Sequence, residues 1–385
     1  MTTRPRLTPA IADVRSAVRA AMGRIGAREA PSAPLPEPSL SARNAGLRVT
    51  PVAGELSELT SVTRSPAFRA NAAGDGAAGG PTVLVALSGG PDSLALAAAI
   101  AFEAPRAGIR AGAVIVDHGL QPGSADVATR AARQARELAL DPVIVTTVIV
   151  GVEGGPEAAA RTARYSALAA AARKTGATRV LLGHTRDDQA ESVLLGLARG
   201  SGPGSITGMA AESGIYLRPL LAIARATTVQ FCFDSGLQPW HDPQNDDERF
   251  ARVRVRKTVL PMLERELGPG FAAALARTAD LAREDTDALD QFAADQLEEL
   301  TDHAEAGISL AARALEHDPP ALRQRIIRAT VLAEFGVSLS RSQTLEVSRL
   351  VTDWHGQAAI DLPGMIVERV GGLLRFRSTR AMPGR

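Results

Sequence analysis

Cysteine, lysine and aromatic residues are scarce in this chain, and each shortage excludes something. A single cysteine, Cys232, in 385 residues leaves no partner for an internal disulfide, a cysteine-rich zinc site or a two-thiol redox pair. A reducing cytoplasm is the expected setting. Aromatics make up only 3% of the chain, too few for recognition of single-stranded nucleic acid by broad base stacking. Lys174 and Lys257 are the only lysines, so the basic side chains are nearly all arginines, whose planar guanidinium matches phosphate. No apolar run reaches the roughly 18 residues of a spanning helix. The longest candidate, Val83 to Phe102, is broken by Ser88, Gly89, Gly90, Pro91 and Asp92, so no membrane association is expected. Arg15, Arg19 and Arg24 interrupt the region where a secretion signal would be apolar. A net charge of +1 carries no affinity for nucleic acid by itself, so any basic surface must be local.

What is present divides the chain into three. Ile11, Val14, Val18 and Met22 recur at helical spacing. Residues Ala27 to Gly80 are rich in Ala, Pro, Gly and Ser, with too little branched apolar surface to offset the entropy of ordering them. Residues 1–80 are therefore expected to be one helix plus a largely disordered extension. From Thr82, short β-branched runs alternate with Ala- and Leu-rich helical segments: strands over Thr82–Leu87, Ala111–Val116, Pro142–Val150 and Thr178–Leu182, and helices over Asp92–Glu103, Ser124–Leu140, Glu157–Lys174 and Asp187–Arg199. Apolar strands alternating with helices predict a doubly wound α/β domain with a parallel sheet, here over 81–222. Residues 223–385 read as a smaller, mainly helical region, with short strand-like runs at the end separated by Pro363-Gly364 and Gly371-Gly372.

In a doubly wound sheet, ligands bind beyond the carboxyl ends of the strands. The first such loop is Ser88-Gly89-Gly90-Pro91-Asp92-Ser93, between a strand and a helix. Its glycines let the backbone approach an anion, and the helix amides point at it, which predicts phosphate binding. The loop lacks the lysine of a Walker motif and the spacing of a dinucleotide fingerprint. Read alone, it could also be a tight turn whose Ser or Asp caps the helix. The second loop carries Asp117 and His118, whose chemistry is compatible with acid–base, metal-ligating or turn roles. The third, Gly183 to Glu191, contains His184, Asp187, Asp188 and Glu191, with Asp188 and Glu191 on one helix face. Helix-dipole stabilisation is an alternative account of its acids.

The first loop resembles the pyrophosphate loop of the ATP pyrophosphatase superfamily, Ser-Gly-Gly-x-Asp-Ser. Together with Asp117–Leu120, Ala160–Tyr165, Gly183–Glu191, Arg199–Gly202, Arg218-Pro219-Leu220, Trp240–Asn245 and Arg252 to Pro261, it resembles the bacterial tRNA(Ile)-lysidine synthetases. That resemblance implies an adenine nucleotide alpha hydrolase-like fold and a cytoplasmic carbon–nitrogen ligase. It further implies ATP and Mg²⁺ as cofactors, and free lysine and a tRNA(Ile) with a CAU anticodon as partners. ATP adenylates the C2 oxygen of the wobble cytidine, and the lysine ε-amine then displaces AMP. The resemblance assigns ATP to Ser88, Gly89, Gly90, Pro91, Asp92, Ser93 and His118, with Asp92 on the metal side. Asp188 and Glu191, supported by Asp187, are expected to hold or deprotonate lysine, and His184 to order the adenylate. Arg161, Arg164, Arg252, Arg254 and Arg256 are expected to meet phosphates, lysine carboxylate or tRNA, within a basic cluster that also holds Arg249 and Lys257. A tRNA thiolase, an ammonia-using amide ligase and a non-catalytic nucleotide or RNA binder are the alternatives; the lone cysteine argues against the first. Three positions depart from the family pattern: Ser192 stands for Thr, Gln121 for Arg and Val253 for Asn.

Overall fold

The computed structural model describes residues 7–27 and 82–379, apart from 120, 122, 152–154, 201 and 305–306. The extension expected to be disordered lies outside the described residues. The chain forms two compact units, Met1–Ala279 and Asp280–Arg385.

The first unit opens with α1 (Pro9–Ala27) and continues β1 (Thr82–Ala86), α2 (Pro91–Glu103), β2 (Arg110–Asp117), α3 (Ser124–Glu137), β3 (Val143–Thr147), α4 (Pro156–Thr175), β4 (Ala177–Leu181) and α5 (Arg186–Arg199). Two very short strands, β5 (Glu212–Ser213) and β6 (Tyr216–Leu217), precede α6 (Arg225–Asp234). A π-helical turn, Val255–Val259, then joins α7 (Ala251–Arg254) to α8 (Leu260–Glu266). The sheet order is β3-β2-β1-β4-β6-β5, parallel except for β5. The order reverses at β1, so the loops after β1 and β4 emerge side by side at the topological switch point.

Both faces of the sheet are covered, as its apolar strands require. Val83, Val85 and Leu87 share a core with α1, α2, α3 and α6, while Leu84 joins Leu168, Ala171 and Ala172 of α4 and Val180 of β4. Helix α1 is an added layer on this core. Val14, Val18, Ala21 and Met22 are buried against it, and Arg15 and Arg19 reach back to the buried Glu103 at 2.7 and 3.0 Å. Because α1 packs on both α2 and α6, it braces the two helices whose first turns enter the site. Met22→Ala should destabilise this unit by about 2–5 kcal/mol, read as a fall in the denaturant midpoint.

The second unit begins within α9 (Phe271–Leu300) and contains β7 (Thr301–Ala304), β8 (Gly307–Ala311), α10 (Ala312–His317), α11 (Pro320–Phe335), α12 (Arg341–Thr352), β9 (Ile360–Leu362), β10 (Met365–Val370) and β11 (Leu373–Ser378). Its five strands form an antiparallel sheet in the order β7-β8-β11-β10-β9. Ile308, Leu310, Met365, Val367, Leu374 and Phe376 of the sheet pack on Ile326, Ile327, Val347 and Leu350 of the helices. A Cβ at Gly307 would lie 2.1 Å from the Phe376 carbonyl oxygen, so only glycine lets β8 pair there. The sequence predicts the closing strands but not β7 and β8, which follow directly on a long helical pattern. Helices do follow residue 223, beginning with α6, and the compact units divide after Ala279.

Candidate active site

The site begins with the β1–α2 loop. Gly89 has φ +86°, the left-handed region that glycine enters without strain, and Pro91 occupies the first turn of α2. Ser93 Oγ ties the loop together, donating to the Gly90 carbonyl at 3.0 Å and accepting from the Ser88 N–H at 3.2 Å. The Trp240 N–H donates to the Gly89 carbonyl at 2.8 Å, fastening the loop from outside. The loop after β4 passes very close: a Cβ at Gly183 would lie 3.0 Å from Ser93 N and Cα. A glycine there lets two strand-end loops share one crevice.

Asp92 lies in the first turn of α2, and Asp187, Asp188 and Glu191 in the first two turns of α5. Asp188 Oδ2 accepts from Thr185 N–H at 2.8 Å and Thr185 Oγ at 3.0 Å, the N3 carboxylate of a capping box. Its other oxygen, Oδ1, accepts from Arg225 Nη2 at 2.7 Å. Glu191 is fully buried and accepts from Arg256 Nε at 2.7 Å, Arg256 Nη2 at 3.1 Å and Arg225 Nη1 at 3.2 Å. Arg252 Nε stands 3.7 Å from its Oε2. Asp92 accepts from Arg225 Nε at 3.3 Å and from the Thr228 hydroxyl. Burial raises the Asp92 carboxyl above its ordinary range despite these donors. For Asp188, burial pushes upward too, but Arg225 and the Thr185 hydrogen bonds prevail and lower it.

A group of cations lies close to His184 and Tyr165. Arg161 and Arg164 from α4 flank Tyr165, whose hydroxyl also accepts from Arg218 Nη2 at 3.4 Å. The buried atoms His118 Nδ1, His184 Nδ1, Arg164 Nε and Arg218 Nε have no hydrogen-bond partner in the protein. Buried polar atoms are normally satisfied, so each of these has hydrogen-bonding capacity that the protein leaves unused. Burial, followed by the nearby Arg164, pushes His184 down to about 3 and lowers His118. Both rings are therefore neutral near pH 7. The unfolded chain regains an ordinary histidine pKa of about 6.5. Stability contributed by neutral His184 is thus complete above that value and declines as pH falls toward the folded pKa. Replacing His184 by Gln should flatten the loss of melting temperature between pH 6.5 and 4 relative to wild type.

The basic cluster after residue 248 is split. Arg252 and Arg256 turn inward to Glu191, the latter from the π-helical turn; such turns recur at functional sites. Arg249 pairs with Asp247 at 2.6 Å, Lys257 with Asp246 at 2.5 Å, and Arg254 donates to the Glu248 and Arg249 carbonyls. The departures from the family pattern also find places. Ser192 Oγ donates to the Asp188 carbonyl at 2.8 Å and accepts from Arg252 Nη2 at 3.3 Å, so its hydroxyl is used. Gln121 donates to Asp242 at 3.0 Å, and Val253 is buried. Arg225 and Thr228, both central to the acids, are absent from the sequence reading. The available signal is a basic residue at the first position of α6, the unfavourable end of the helix dipole.

Comparison with known proteins accords with this geometry. Residues 65–263 match the PP-loop domain, which carries ATP use. A tRNA(Ile)-lysidine synthase from Leifsonia xyli is 62% identical over 298 residues, covering 77% of this chain and 90% of that protein. The chain belongs to the tRNA(Ile)-lysidine synthase family. Other family members are the tRNA(Ile)-lysidine synthases of Streptomyces coelicolor, 54% identical over 77% of this chain and 85% of that one, and of Nocardia farcinica, 48% identical over 79% and 94%. No helix among the described residues is long and apolar enough to cross a membrane. As a member of this family the chain is a PP-loop ligase, with the loop Ser88–Ser93 at its switch point.

Proposed function

We propose that this site joins free lysine to C2 of the wobble cytidine of a tRNA(Ile) bearing a CAU anticodon, giving lysidine, AMP and pyrophosphate. The observation that carries the assignment to these residues is the convergence of Asp92, Asp188 and Glu191 at two adjoining helix N-termini on the switch point.

The loop Ser88–Ser93 holds the β- and γ-phosphates, its glycines and the start of α2 offering amides to the charge that develops on the leaving pyrophosphate. The cytidine C2 oxygen attacks the α-phosphorus, and the bond to pyrophosphate breaks. Lysine arrives as an ammonium with a reference pKa of about 10.4. Asp188 receives this cation and accepts the proton that must leave before nitrogen attacks C2. Glu191, expected from the sequence to share this task, is fully buried on Arg225 and Arg256 and balances their charge behind it. As the new carbon–nitrogen bond forms, the bond from C2 to the adenylated oxygen breaks and AMP departs. Arg161, Arg164 and Arg218 supply positive charge for phosphate or for the lysine carboxylate, and neutral His118 and His184 orient the adenylate by hydrogen bonding. Arg254, exposed and turned to local carbonyls, is assigned to tRNA backbone contact.

Among the described residues no group of three or more histidine, cysteine or acidic side chains is arranged to hold a metal ion by itself. Mg²⁺ bound with a nucleotide needs only one or two protein carboxylates, the phosphates supplying the rest. Asp92, beside the phosphate loop, fits that requirement. The ion would neutralise charge on the departing pyrophosphate.

Labelled lysine should enter a tRNA(Ile) transcript with a CAU anticodon only when ATP is present, and should not enter the same transcript with a wobble uridine. Label in both transcripts, or in neither with folded protein and bound ATP, refutes the assignment.

A further inference from the structure

Four carboxylates from two helices meet a single residue, Arg225. Its Nε reaches Asp92 at 3.3 Å, Nη2 reaches Asp188 at 2.7 Å and Nη1 reaches Glu191 at 3.2 Å, while its backbone N–H donates to Asp187 at 2.8 Å. Among the described residues it is the one cation paired with Asp92. Asp188 has a second, more distant cation in Arg256 at 3.6 Å, and Glu191 has Arg252 and Arg256 as well. Arg225 alone therefore spans from the phosphate loop to the acids of α5.

Its position works against helix stability. Arg225 opens α6, where the dipole is positive, and Ala224 before it provides no side-chain cap. An acid or a small polar cap would favour the helix there. The guanidinium is instead balanced by the acids of two other helices, and the Thr228 hydroxyl, one turn on, shares its proton between Asp92 and the Arg225 carbonyl. The first turn of α6 thus arranges the acids at some cost to its own stability.

We propose that Arg225 is a positioning residue for the reaction assigned above: it fixes Asp92, on the phosphate side, at a set spacing from Asp188 and Glu191, on the lysine side. This inference rests on that functional reading. A planar fork with donors in three directions holds three carboxylates at once, which a lysine ammonium on a flexible stem does not reproduce. Without the fork, phosphate and nucleophile still bind but lose their mutual register, and misplacement of this kind costs catalysis more than binding.

The test compares wild type, Arg225→Ala and Arg225→Lys in lysine transfer to the CAU transcript and in ATP–pyrophosphate exchange, with methylguanidine as the added probe. Arg225→Ala should lower kcat at least 100-fold while KM for lysine moves less than about fivefold. Arg225→Lys should recover under one tenth of wild-type kcat. Millimolar methylguanidine should raise the Arg225→Ala rate at least tenfold, and equal ionic strength of KCl should not. A wild-type rate in either variant, or a folded Arg225→Ala protein that methylguanidine fails to restore, overturns the proposal. If wild type exchanges pyrophosphate but transfers no lysine, the functional reading alone fails, and rescue of exchange still decides the role of Arg225.

Discussion

Asp92→Ala should lower ATP-dependent pyrophosphate release on the order of 10²- to 10³-fold, the range found when one preorganised electrostatic contact to a developing charge is removed. Asp92 sits at the second position of α2, beside the glycines that bring backbone to phosphate, and it is the carboxylate assigned to Mg²⁺. Its removal leaves the Nε of Arg225 without its acceptor and the Thr228 hydroxyl with the Arg225 carbonyl alone. The phosphate loop itself is tied through Ser88, Gly90 and Ser93, none of which uses the Asp92 side chain. The variant should therefore fold and bind nucleotide while failing at the adenylation step. Single-turnover pyrophosphate release, with melting temperature as the control, checks this; undiminished release contradicts the assignment.

Glu191→Ala should fail in a different way, losing stability as well as activity. Glu191 is fully buried, with Arg225 and Arg256 on its oxygens and Arg252 nearby. Removing the acid leaves these guanidiniums facing one another with their shared counter-charge gone. Breaking a buried pair from one side typically costs roughly 3–5 kcal/mol. Glu191→Gln keeps the shape and two acceptor or donor atoms but not the charge, so it should be intermediate in stability and still defective in lysine transfer. Thermal unfolding beside labelled-lysine incorporation separates the two effects. Wild-type stability in Glu191→Ala would show that the arginines find other partners.

The sheet of the first unit was legible because each layer announces itself locally. Helix α4 is expected over Glu157–Lys174 and found over Pro156–Thr175, and β2 is expected over Ala111–Val116 and found over Arg110–Asp117. β-branched runs and Ala-rich helices differ in period and composition, and glycine or proline marks the ends. Strands β5 and β6, two residues each, are too short to show any period. Strands β7 and β8 are recognisable mainly through their pairing partners, and β8 pairs with β11 some 65 residues later, from the registers Ala311 to Leu373 and Gly307 to Arg377.

The site was legible in its loops and not in its wiring. Ser88–Ser93, His118, His184, Asp188 and Glu191 are marked by their position at strand ends and by motif. Arg225 and Thr228 carry no such mark, because their importance comes from the packing of α6 on α2, which brings residues more than 130 positions apart into contact. The inward turn of Arg256 likewise comes from the π-helical turn, which a charge run does not announce.

The most direct test of the division between a phosphate side and a lysine side is single-turnover chemistry in Asp188→Asn. Asparagine preserves the oxygen that caps Thr185 and removes both the charge offered to lysine and the acceptor for Arg225 Nη2, while Arg225 keeps Asp92 through Nε and Glu191 through Nη1. With ATP and the CAU transcript, this variant should release pyrophosphate at a rate near wild type while incorporating labelled lysine at least 100-fold more slowly. Parallel loss of both steps, or normal incorporation of lysine, would contradict the account.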